Sequence, residues 1–280
     1  MTPSIILAIA AMGAGAFADL FYRKAQTLGI NAASFIFAQS TLFSTTIWIA
    51  GWVLGAHKEA TTATWIYGLP AGLIAYIGLL LFVNSLRSGE ASVNVPIFRL
   101  SFVITAVVAV LLLGESVTIT KVAGLLLAAA GVLSLANLGS SKWSLRSLAP
   151  LLVATLLFGI VGVLIKKTTI EGTGTIALIM VQAIAFQTGS FLNALISQRL
   201  KPNSVTVRYA PPVALFQLSW TFLLIQSLQL GDASVSYPIV QLSFVVTTLL
   251  AVLFLKEAMT RKKGLGLGLA VLAVGAFAVP

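Results

Sequence analysis

Arg99 is the residue with the most chemistry to offer. It lies one turn after Pro96, at the head of the apolar run LSFVITAVVAVLLL. A guanidinium placed there must face protein or water, and a charge inside an apolar span marks function by default. Its planar fork suits a carboxylate or a phosphate, gripped through two parallel hydrogen bonds. The competing readings are an arginine that snorkels to the headgroups or one that pairs structurally with Asp19. Asp19 is the sole acid inside an apolar segment, so it is also the group that would relay protons. It stands four residues before Arg23, and a local ion pair at the membrane edge is its alternative role.

The stretch around Arg99 occurs twice. Leu86–Leu113 and Leu228–Leu255 agree at 16 of 28 positions when aligned at an offset of 142. The agreement includes Ser92/Ser234, Pro96/Pro238, Ser101/Ser243 and Thr105/Thr247, which apolar composition alone would not align. Such internal repetition marks a tandem of related units. Arg99 is matched by Gln241, so a polar group recurs at one depth in both halves. Gln39 is matched by Gln182 and Asn84 by Gln226. These pairs stay polar in both halves and join Gln241 as candidate substrate ligands, whereas single amides serve helix-to-helix bonding. Trp220 and Tyr237 either stack on a flat substrate or pack in the ordinary way. Pro96 and Pro238 each remove a helical hydrogen bond and expose a carbonyl, which makes them candidate hinges or fixed bends. Glu115 and Glu257 follow spans four and nine, as turn and cap residues leading into the next span.

Composition dictates the elements that carry these groups. The 280 residues are 59% hydrophobic and 9% charged, with a mean hydropathy of +1.04. A soluble domain carries about 25% charged residues, so this chain lacks the polar surface to live in water. Apolar segments of about 20 residues recur, each able to cross a hydrocarbon layer about 30 Å thick. Ten spans are expected: Ser4–Tyr22, Ala32–Leu54, Thr64–Leu86, Ser92–Leu113, Thr120–Leu138, Leu148–Ile165, Thr175–Ile196, Tyr209–Leu228, Ser234–Leu255 and Gly264–Val279. Runs such as Val103–Leu113 do not alternate, which excludes a membrane barrel. The fold class is therefore an all-α integral membrane protein of ten transmembrane helices. The halves, residues 1–140 and 141–280, hold five spans each. Five is odd, so the second half crosses in the opposite sense, as an inverted repeat.

The net charge of +10 does not signal nucleic acid, because the positives are scattered singly between spans. Twelve of the 17 Lys and Arg fall in odd-numbered connections and four in even ones, with Arg99 inside a span. That bias places the odd connections in the cytoplasm. There is no cysteine, and His57 is the sole histidine. A metal centre, a disulfide and a nucleophile–base pair are thus all unsupported, no cofactor is expected, and an enzyme is disfavoured. No phosphate-binding G-x-x-x-x-G-K-[ST] motif occurs either.

The duplicated pattern S-x-V-x-x-P-I … S-F-V-x-T … L-x-(G/K)-E, followed by a span rich in small residues, resembles the drug/metabolite transporter superfamily. The similarity is to its ten-span branch with two EamA-type halves, and it covers essentially the whole chain. The resemblance implies a secondary transporter of the bacterial inner membrane that exports a small polar metabolite by alternating access. The expected partners are that small molecule and membrane lipid, with the chain a monomer or a homodimer. It further implies Arg99, Gln241, Asn84, Gln226 and Tyr237 as cavity residues. The alternative within the same fold is export of drugs or lipophilic cations. The chain departs from its relatives in three ways. Its prolines stand about five residues earlier, its first span has no acid at Gly13–Ala18, and its charge bias puts both termini outside.

Overall fold

The computed structural model describes residues 1–88, 91–136, 145–256 and 258–279, without the side chains of 86–88, 91–92, 145–147 and 255. Gly89, Glu90, residues 137–144, which hold the boundary between halves, and Glu257 lie outside the described residues. The described chain is all helical: α1 (Pro3–Thr27), α2 (Ala32–Val53), α3 (Leu69–Ser88, entered through a π-helical turn at Thr64–Gly68), α4 (Ala91–Arg99), α5 (Ser101–Leu113), α6 (Ile119–Ser134), α7 (Leu145–Ile170), α8 (Thr175–Ile196), α9 (Ser204–Leu230), α10 (Ala233–Gln241), α11 (Ser243–Leu255) and α12 (Arg261–Ala278). Among the described residues, eight stretches are long and apolar enough to cross a membrane. Two of these are compound: α4 with α5, and α10 with α11. The shorter α6 and α12 stand where spans five and ten are expected.

The helix ends follow from local chemistry, and the two halves repeat it. Thr118 accepts the N–H of Lys121 at the start of α6, and Thr260 accepts that of Lys263 at the start of α12. A side-chain oxygen there satisfies an N–H that the helix cannot. Asn31 and Asn203 do the same for α2 and α9. α5 ends on Gly114 at φ 69° and α11 ends on Lys256 at φ 56°. This left-handed turn suits a residue with no Cβ, so the lysine bears strain that the glycine does not.

Packing between helices displays the two-fold relation. α1 packs on α9 as α7 packs on α3, α1 on α11 as α7 on α5, and α2 on α9 as α8 on α3. α2 packs on α8 and α6 on α12, each against its own counterpart. Individual bonds repeat as well. Thr105 donates to Gly159 O at 2.9 Å, and Thr247 donates to Ala16 O at 3.3 Å. Asn94 bonds Ser85 as Ser236 bonds Ser227.

The sense of each half can be read from contacts. Ser4, at the start of α1, accepts from Ser227 near the end of α9. Ala25, near the end of α1, clusters with Ala210 and Val213 from the first half of α9. α1 and α9 are therefore antiparallel. α1 and α9 are the first and third spans of their halves and share a direction within a half, so the second half is inverted. Close approach of α6 and α12 relies on small residues. A Cβ on Gly124 would meet the Phe277 ring at 2.7 Å, and Gly131 and Gly266 face the opposite helix. Gly264 and Gly268 face open space and serve no such contact.

Candidate functional site

The two prolines do not break their helices where they stand. α4 and α10 run on through Pro96 and Pro238, and the interruption falls one turn later, at Leu100 (ψ 0°) and Leu242 (ψ −3°). The Leu100 N–H is shared between Pro96 O (3.3 Å) and Ile97 O (3.1 Å), and the Leu242 N–H between Pro238 O (3.2 Å) and Ile239 O (3.1 Å). A proline has no N–H to tie down the preceding turn. The ladder tightens into a three-centre bond and then restarts. α4 and α10 thus each end at the same level that α5 and α11 begin, leaving Arg99 and Gln241 as last residues of their helices.

Arg99 and Gln241 are repeat counterparts, and they touch. The Arg99 Nη1 donates to Gln241 Oε1 at 3.0 Å. Residues that contact their own counterparts lie on the two-fold axis. In an inverted repeat that axis runs in the membrane plane, so the contact marks mid-depth. The Arg99 Nη2 donates to Asp19 Oδ2 of α1 at 2.6 Å, in an ion pair. Of the two partners, the Asp19 side chain is 33% exposed and that of Arg99 17%. Thr247 of α11 also donates to Asp19 Oδ2, at 3.4 Å. Gln241 Nε2 donates onward to Ser101 Oγ at 3.5 Å. One corner of the guanidinium, Arg99 Nε, is buried without a partner, and so is Ser243 Oγ.

Two aromatics border this cluster. Gly15 lies one turn before Asp19, and a Cβ on it would meet Trp220 at 2.7 Å and Ser243 at 3.2 Å. The missing side chain is what lets Trp220 approach α1. Tyr237 lies one turn before Gln241 and is fully buried. Its hydroxyl donates to Phe158 O at 3.4 Å, and its ring lies over Gly162. The offset set by the Thr105 and Thr247 bonds makes Gly162 the counterpart of Asp19. The first half therefore contributes both charges, and the second half contributes glycine, glutamine and tyrosine.

Of the sequence-derived set, Arg99, Gln241, Asp19, Trp220 and Tyr237 converge, with Pro96 and Pro238 one turn away. Four others stand apart. Gln226 donates to Thr175 at 2.8 Å, and Thr175 donates to Gln229 at 3.1 Å, in a network at the start of α8. Asn84 is exposed on α3, and Gln39 and Gln182 are half-buried on α2 and α8. Thr247 and Ser243 were not singled out as ligands. Their identity with Thr105 and Ser101 in the repeat was the signal available. Among the described residues, no cluster of three or more His, Cys, Asp or Glu is placed to hold a metal.

Two inverted helical halves, with interrupted helices and an arginine meeting its glutamine counterpart on their common axis, have the build of a membrane transporter. The model of the EamA-like transporter family matches residues 2–137 and 146–278, and the chain belongs to that family. A solved crystal structure is similar to it with a TM-score of 0.79 at 15% identity, over 99% of each chain, which speaks for the fold. The search of curated proteins gave no match.

Proposed function

We propose that this transporter carries a small polar metabolite with a carboxylate or phosphate, by alternating access, and exports it across a bacterial inner membrane. The observation that carries the reading is the Arg99 guanidinium on the two-fold axis, shared between Asp19 and Gln241. Buried charges are tolerated when paired and are costly when stranded. An arriving carboxylate takes over the Arg99 fork, and Asp19 must then find another partner. A zwitterion supplies that partner in its ammonium group, so an amino acid keeps every charge matched. A bare anion is matched only if Asp19 takes up a proton, which gives Asp19 its coupling role. Pro96 and Pro238 flank the interruptions about which α4 and α10 would move.

The halves are also unequally closed, as one state of a two-state carrier would be. α10 packs on α5, and among the described residues no comparable packing joins α4 to α11. By the positive-inside bias the α10 end lies outside and the α4 end faces the cytoplasm, the arrangement in which an exporter loads. The rival reading, a lipophilic-cation exporter, is favoured by the greater exposure of Asp19 and by Trp220 beside it.

A thermal-shift screen of the purified protein against a metabolite library, repeated on Arg99→Gln, tests the proposal. Stabilisation by an amino acid or other anionic solute that vanishes in Arg99→Gln supports it. Stabilisation by lipophilic cations that survives in Arg99→Gln selects the rival. Counterflow in proteoliposomes then separates carrier from pore, because only a carrier is accelerated by unlabelled substrate on the far side.

A further inference from the structure

The corner between α9 and α10 is held by charges that the transport reading leaves unused. Glu115, in the connection between α5 and α6, accepts the N–H of Ala233 at 2.6 Å and that of Ser234 at 2.9 Å. These are the first residues of α10, whose N–H groups have no partner within the helix. A carboxylate there also meets the positive end of the helix dipole. Asp232 directly precedes α10 but makes no side-chain cap. Its carboxylate pairs with Lys121 of α6 at 2.6 Å instead. Lys166 of α7 donates to the carbonyls of Leu228 (2.7 Å) and Gly231 (2.9 Å). Residues 228–234 are thus gripped from three other elements. Glu115 does not cap the span that follows it, as its position suggests. Thr118 does that, which leaves Glu115 to reach across to the other half.

We infer that Glu115, Lys121 and Lys166 form a releasable lock on the α9–α10 corner, which decides the end at which the bundle is shut. Glu115 is the positioning residue at its centre. The inference rests on the two-state reading above. Glu115 and Lys121 belong to the first half and grip the second, so these arms are loaded when the halves move against each other. The lock is polar and its Asp232 side chain is 43% exposed, so water can replace these bonds when they part. A permanent joint would be dry and apolar. The lock stands at the α10 end, where the helix is the more deeply buried of the two.

The absence of cysteine from the 280 residues makes labelling a clean test on the purified protein. Ser234→Cys is nearly isosteric, and the Ser234 hydroxyl has no partner to lose. Val95→Cys reports the α4 end, since Val95 is the counterpart of Tyr237. With Glu115 intact, a hydrophilic maleimide should modify Ser234→Cys slowly. Adding Glu115→Ala should speed that reaction by about tenfold or more, the scale of a lost charge-assisted hydrogen bond, and slow Val95→Cys in return. Glu115→Gln keeps one acceptor oxygen and should fall between. If Glu115→Ala does not elute as a monodisperse folded protein, Lys121→Met, which removes only the Asp232 arm, is read the same way. An unchanged Ser234→Cys rate overturns the inference. So does a faster Ser234→Cys with an unaltered Val95→Cys, because Glu115 is then a helix cap and no more. The labelling needs no substrate, so its failure and a failure of the Arg99 reading are told apart.

Discussion

α4 and α10 share the spacing S-x-V-x-x-P-I and the same interruption one turn beyond the proline, yet they sit differently. In α10 every residue is buried except half-buried Val235. In α4, Val95, Ile97 and Arg99 are all half-buried. Of an 18-residue apolar segment within Ala233–Phe254, 61% is buried inside the protein, against 39% of the matching length within Val93–Leu113. The contrast rests on a few exchanges between counterparts. Tyr237 fills space against Gly162 where the first half has Val95 and Asp19, and Gln241 stands where the first half has Arg99. What the halves keep in common makes the fold. What they exchanged puts an ion pair on one side of the axis and the buried Tyr237–Gly162 contact on the other.

The comparison can be broken most forcefully at Arg99. Arg99→Gln makes the halves alike at this position and strands the Asp19 carboxylate, at a cost of about 3–5 kcal/mol. Thermal unfolding of the purified protein should show a large drop, mostly recovered when Asp19→Asn is added. Equal losses in the single and double variants would show that pairing is not what sustains the site. Tyr237→Val gives α10 the residue of α4 and should cost about 2–4 kcal/mol through the cavity it leaves, read by the same unfolding experiment. Gly162→Ala should cost about 1–3 kcal/mol by overpacking, since its Cβ would lie 2.6 Å from Thr105 Oγ1 and 2.9 Å from Tyr237. Gly268→Ala faces open space and should stay within about 0.5 kcal/mol. Lys256→Gly, which gives α11 the ending of α5, acts in the opposite direction. Relief of the left-handed lysine should stabilise by about 1 kcal/mol, seen as a small rise in Tm.

The fold was legible because it is written in features that survive from one half to the other. Apolar length gives the spans, and the paired prolines and serines give the repeat. Arg99 stood out for a related reason, as a charge where the counterpart is merely polar. Its partner was harder to read. Asp19 has Arg23 four residues away on its own helix, while Arg99 is 80 residues distant and meets it only after α1 and α4 are packed. Pro96 and Pro238 mark a missing hydrogen bond to the turn before them, and nothing in the sequence marks the interruption one turn after them, at Leu100 and Leu242. The outlying Gln226 reads in sequence like Gln241, since both are amides inside apolar spans. Only tertiary packing sends one to the axis and the other to the start of α8.

The Asp19–Arg99 pair also bears on energetics across the bilayer. An elementary charge carried through the membrane field exchanges about 2.3 kcal/mol per 100 mV. Held together, Asp19 and Arg99 present the field with a neutral dipole. Under the alternating-access reading proposed above, this pair brings no net charge for the electrical potential to act on, and at this site the field bears on the net charge of the cargo.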